Sequence, residues 1–114
     1  MQKNILLKAV INELDDCKAI NICSLDVRSL TSVTDHMVIV TGNSRRHVLS
    51  IAQNLIRTMK DRQIQPLGME CDLGCEWALV DLGDIVVHIM QQQTRDFYQL
   101  EKLWSAPEIK QASA

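Results

Sequence analysis

A chain of 114 residues, 46% hydrophobic and 23% charged, has the size of one domain and the composition of a globular rather than a disordered protein. Its 12 basic and 14 acidic residues leave a formal charge of -2, which argues against a general nucleic-acid binder and leaves room for a protein partner or a local basic cluster. Met1 to Val10 carries Lys3 and Lys8 and no apolar run of signal or membrane character, so a soluble cytoplasmic protein with reduced thiols, no membrane and little direct nucleic-acid contact is expected.

Leu6, Leu7, Val10, Ile11 and Leu14 fall at helical spacing, so residues 3–17 read as a helix closed by Asp15 and Asp16. Ile20 to Val27 alternates with period two and reads as a strand, followed by a polar loop from Arg28 to Thr34. His36 to Thr41 is a β-branched run that suits a buried strand, ending at the turn signal Gly42-Asn43. Residues 44–62 give the clearest helix, because Val48, Ile51, Ala52, Leu55, Ile56 and Met59 recur on one face. Asn43 or Ser44 can cap it by accepting a backbone N–H. Pro66 and Gly68 introduce a short extended stretch to Glu70, and Asp72 to Cys75 reads as a loop.

Trp77–Asp81 and Asp84–Met90 form a hairpin, with a two-residue loop expected at Leu82-Gly83. That loop would set Asp81 opposite Asp84, Leu79 opposite Val86 and Trp77 opposite His88. Alternation divides the hairpin into two faces. Ala78, Val80, Ile85, Val87 and Ile89 make a wholly aliphatic core face. Trp77, Leu79, Val86, His88 and Met90, with Asp81 and Asp84 at the turn end, make a mixed face of the kind partner surfaces present. A helix laid over that face would instead make Trp77 core. Residues 94–104 read as a last helix capped by Thr94. Phe97, Leu100, Glu101 and Trp104 share one side, while Arg95, Tyr98 and Lys102 share another that resembles an interface stripe. The whole is an α/β (α+β) chain of about five strands and three helices. Residues 1–105 read as one domain and 106–114 as a frayed tail.

The four cysteines are Cys17, Cys23, Cys71 and Cys75, and they complete no zinc-ligand pattern, so a structural or incidental role is expected. The stretch Gly42-Asn43-Ser44-Arg45-Arg46-His47 joins a strand to a helix, but it lacks the glycines of a phosphate-binding loop. Asp81 and Asp84 are a faint sign of magnesium-binding carboxylates, and with the strand–Gly–Ser–helix unit they suggest a nucleotidyltransferase-like, nucleotide-binding enzyme as the alternative. The pair straddles a turn, however, and a third ligand is not evident. His36, His47 and His88 sit on separate elements with no assignable nucleophile.

Four segments resemble the ribosomal silencing factor RsfS, or Iojap-like, family. They run from Thr34 to Val48, from Pro66 to Glu70, from Trp77 to Met90 and from Arg95 to Trp104. The resemblance implies a mixed sheet flanked by helices, related to the nucleotidyltransferase fold without its activity or any cofactor. It also implies binding to the large ribosomal subunit through its ribosomal protein fourteen, which blocks joining of the small subunit and represses translation. Self-association as a homodimer is a further implication. Contacts carried over by motif fall on Trp77, Asp81, His88, Met90, Arg95 and Tyr98, with Pro66, Gly68 and Glu70 nearby, and Lys102 joins them from the helical stripe. The segment from Cys71 to Cys75 departs from the family pattern, which leaves the course of that loop open.

Overall fold

The computed structural model describes residues 3–32, 34–71 and 74–100. Helix α1 (Lys3–Asp16) leads into β1 (Ile20–Asp26) and β2 (His36–Thr41). Helix α2 (Arg45–Asp61) follows, then β3 (Gly68–Cys71), β4 (Trp77–Asp81), β5 (Ile85–Met90) and α3 (Gln92–Tyr98). The five strands form one mixed sheet in the order β1-β2-β5-β4-β3. Only β2 and β5 run parallel; the other neighbours are antiparallel.

Helices α1 and α2 cover one sheet face. The aliphatic hairpin residues Ala78, Val80, Ile85, Val87 and Ile89 are buried there with Val38 and Val40 of β2. Val48, Ile51, Ala52, Leu55 and Met59 of α2 and Leu6, Val10 and Leu14 of α1 complete that core. Ser44 caps α2: its hydroxyl accepts the backbone N–H of His47 at 3.1 Å. A Cβ on Gly42 would come within 2.8 Å of a Val48 methyl, so the entry to α2 requires a residue without one.

The hairpin register differs from the sequence reading. Trp77 pairs with Met90, Leu79 with His88 and Asp81 with Val86. The turn residues are therefore Gly83 and Asp84 rather than Leu82 and Gly83, and Leu82 donates its N–H to Ile85 at 2.9 Å. Glycine decides this: Gly83 sits at φ 88, a conformation that residues with a Cβ rarely adopt. A loop one residue earlier would force Leu82 into that position. The register moves by two residues, so every side chain keeps its face.

Strand β1 is bulged between Ile20 and Cys23, with Asn21 at φ 52. Cys71 and Cys75 are joined by a disulfide across 5.4 Å between their Cα atoms, where reduced thiols had been expected. Helix α3 ends at Tyr98 because Gln99 turns to the left-handed region at φ 50; the rest of the expected helix, from 101 to 104, lies outside the described residues. Its cap is Gln91 rather than Thr94, and no side chain bonds there. Lys102, Trp104 and the tail 106–114 lie outside the described residues.

Candidate partner-binding face

The second sheet face is covered over only part of its area. Val27, Met37, Ile39 and Met90 form a small cluster on the β1–β2 side, closed by Leu25, Trp77 and Leu100. Toward β3 the face opens. Strand pairing aligns its side chains in rows: Gly68, Asp81, Val86 and Met37 in one, and Glu70, Leu79, His88 and Ile39 in the next. Trp77, Met90 and Thr41 make a third. Gly68, Glu70, Trp77, Asp81, His88 and Met90, six of the expected contact residues, thus share one face although they come from three strands.

Trp77 stands as a ridge on this face. On one side a groove of about 640 Å³ is lined by Met69, Glu70, Cys71, Trp77 and Leu79. On the other a smaller one of about 260 Å³ runs between Trp77, Glu76 and the α3 residues Gln93, Thr94, Phe97 and Tyr98. The Tyr98 ring lies against the indole with centroids 4.8 Å apart, and Phe97 meets Tyr98 edge-on at 5.0 Å. The indole N–H donates to Nδ1 of His88 at 3.0 Å, which fixes the ring plane. That bond uses the nitrogen a second proton would occupy, and burial pushes the His88 imidazole down to about 4.

Not every expected contact is a surface group. Met90 is fully buried beneath Trp77 and His88 is 7% exposed, so both support the face from below. Arg95 is 7% exposed and does not share a stripe with Tyr98. Its guanidinium donates to the Asn21 carbonyl at 2.8 Å and to the Thr41 hydroxyl at 2.9 Å. The β1 bulge frees that carbonyl from the ladder, and Arg95 satisfies it while pinning α3 to the sheet. Tyr98 is 51% exposed, and Phe97, expected on the apolar side of α3, is 79% exposed. Pro66 is half-buried just before β3, where the neighbouring Leu67 N–H donates to the Asp81 carbonyl at 2.8 Å. Leu79 and Val86, half-exposed in the middle of the face, belong with the site; strand alternation had put them there.

The carboxylates do not form a pair of strand-borne ligands. Asp81 accepts the Gly83 N–H at 2.9 Å, so one of its oxygens stabilises the hairpin turn, and Asp84 is itself a turn residue. Among the described residues no group of three or more His, Cys, Asp or Glu side chains could hold a metal ion. The strand-to-helix turn at Gly42 is internally bonded as well. Asn43 donates its N–H to Nδ1 of His47 at 2.8 Å, Nε2 of His47 lies 2.8 Å from the Cys17 carbonyl, and Arg45 pairs with Glu76 at 3.5 Å.

The family profile described as "RsfS: Ribosomal silencing factor during starvation" matches residues 1–114. The chain belongs to the ribosomal silencing factor family. It is similar to the ribosomal silencing factor RsfS of Haemophilus influenzae, 43% identical over 100 residues that cover 88% of this chain and 98% of the relative. A mouse relative, "Mitochondrial assembly of ribosomal large subunit protein 1", is 34% identical over 91 residues, covering 75% of this chain and 39% of the longer protein. A crystal structure of a Chromobacterium violaceum protein superposes with a TM-score of 0.89 at 37% identity, covering 92% of this chain and 88% of that one. The mixed five-stranded sheet flanked by helices is thus the fold of the RsfS relatives.

Proposed function

We propose that this RsfS-family chain binds the large ribosomal subunit through its ribosomal protein fourteen and sterically prevents the small subunit from joining, so repressing translation. The action needs no catalysis and no cofactor, and it takes place in the cytoplasm. The observation that carries the reading is the half-open sheet face, on which Trp77 stands as a ridge between two grooves. A large aromatic side chain flanked by concavities is the usual form of an interface anchor. Trp77, Leu79, Tyr98, Glu70 and Asp81 are the direct contacts in this proposal, with Gly68 and Pro66 at the rim. Met90, His88 and Arg95 hold those contacts in position.

Two further considerations support it. Relatives that match over most of the chain carry the name ribosomal silencing factor, and the mouse relative is named for assembly of the ribosomal large subunit. The strand residues of the open face include Glu70 and Asp81 and no lysine or arginine, so the face suits a basic protein partner. The test is sucrose-gradient sedimentation of purified large and small subunits with and without the protein. Co-migration with the large subunit and a reduced joined-ribosome peak are expected. Unchanged joining at saturating protein would refute the proposal.

A further inference from the structure

We infer that α2 carries a second docking surface, an outward cationic stripe that holds the phosphodiester backbone of structured RNA. The stripe is Arg46, Ser50, Gln53, Arg57 and Lys60, all exposed. Their spacing of four, three, four and three residues places them along one line of the helix, opposite the buried Val48, Ile51, Leu55 and Met59. Over that span the line is about 21 Å long at about 1.5 Å per residue.

The charge distribution selects the occupant. Between Arg45 and Arg62 the sequence has five lysines and arginines against the single carboxylate of Asp61. The strand residues of the opposite sheet face carry only acidic charge, Glu70 and Asp81, so the near-neutral total conceals two faces of opposite sign. Arg45 is engaged by Glu76 on the sheet side, and Arg57 donates to Asn54 of its own helix. Arg46 and Lys60 have no salt bridge among the described residues. The facing groups are Asp61 beside Lys60 and, on α1, Glu13, Asp15 and Asp16 at the end that meets His47 through Cys17. Glu13 accepts a hydrogen bond from the Cys17 thiol.

A straight row of cations matches the regular charges of a nucleic-acid strand, and Ser50 and Gln53 between them can bond phosphate oxygens and 2′-hydroxyls. An anionic membrane is a poorer fit, because a surface-seeking helix must bury its apolar side in lipid, and α2 has spent that side on the core. The choice of RNA over DNA rests on the ribosome-binding reading above.

The test uses the full chain and a fluorescent RNA duplex of about 20 base pairs, read by anisotropy across a potassium chloride series. Three phosphate contacts predict a slope of log K against log salt of about −2 to −3, roughly a thirtyfold loss of affinity between about 50 and 200 mM. The triple variant Arg46→Ala, Arg57→Ala, Lys60→Ala should bind at least about tenfold more weakly with a slope near zero, and it should melt like the wild type because all three residues are exposed. Trp77→Ala should keep duplex binding. Equal affinity of the triple variant and the wild type would overturn the inference, as would no wild-type binding at low salt or loss of binding in Trp77→Ala. Duplex binding without large-subunit binding would sink the proposed function and leave the stripe standing. Large-subunit binding without duplex binding would do the reverse.

Discussion

Trp77 and His88 are joined by a hydrogen bond along the diagonal of the β4–β5 ladder, although each is paired with a different residue. The bond requires Nδ1 of His88 to be an acceptor, and burial holds that imidazole near pKa 4 against an ordinary 6.5. The folded protein therefore binds this proton only near pH 4, whereas the unfolded chain takes it up below 6.5. Stability from the neutral ring is complete above pH 6.5 and is lost as pH falls toward 4. The contribution at stake is on the order of 3 kcal/mol. Urea titrations of wild type and His88→Gln at several pH values should show the wild type losing more than the variant on acidification. Parallel loss in both proteins would contradict the assignment.

Arg95 acts inside the protein. Arg95→Ala removes a buried cation that satisfies the Asn21 carbonyl and the Thr41 hydroxyl, and about 2–3 kcal/mol of stability should go with it. Thr41→Val, which removes one of the two bonds, should cost about 1 kcal/mol. Denaturant unfolding gives both values, and hydrogen exchange should show faster opening of α3 in Arg95→Ala. An Arg95→Ala protein of full stability that loses only ribosome binding would return this residue to the contact surface.

Gly83 fixes the hairpin register through its positive φ. Gly83→Ala places a Cβ in a conformation L residues avoid and should lower stability by about 1–2 kcal/mol. The space itself is adequate, since the nearest atom to such a Cβ is a Leu67 methyl at 3.6 Å. Thermal melting checks the value, and an unchanged melting temperature would mean the turn can adopt another geometry.

Tyr98 and Trp77 should separate binding from folding. Tyr98 is half-exposed, so Tyr98→Ala should keep its melting temperature and lose roughly 1–4 kcal/mol of large-subunit affinity. Trp77 also closes the Met37–Ile39–Met90 cluster, so Trp77→Ala should lose a similar affinity and some stability as well. Binding measured by sedimentation beside unfolding curves distinguishes these outcomes.

Elements and faces were legible in the sequence because they follow from periodicity. Val48 to Met59 recurs at helical spacing, and the aliphatic residues of β4 and β5 alternate, so both core faces could be read directly. The two-residue error in the hairpin register did no damage to the faces, since an even shift conserves them. What failed were claims that depend on contacts distant along the chain. Arg95 looked like a surface cation on a helical stripe; its partners Thr41 and Asn21 are 54 and 74 residues earlier. Met90 looked like an interface thioether, but β2 and Leu100 close over it. The cationic line on α2 was hidden by a near-zero net charge, because a total does not reveal how charge is divided between faces.

Leu79 is the sharpest probe of the open sheet face. It is half-exposed in the middle of that face, pairs with Glu70 and His88, and makes no contribution to the helix-covered core. Co-sedimentation of wild type and Leu79→Arg with purified large subunits is the decisive measurement, run beside thermal melts of both proteins. Leu79→Arg should fold normally and fail to co-migrate. A folded Leu79→Arg protein that binds the large subunit as the wild type does would contradict the proposed role of that face.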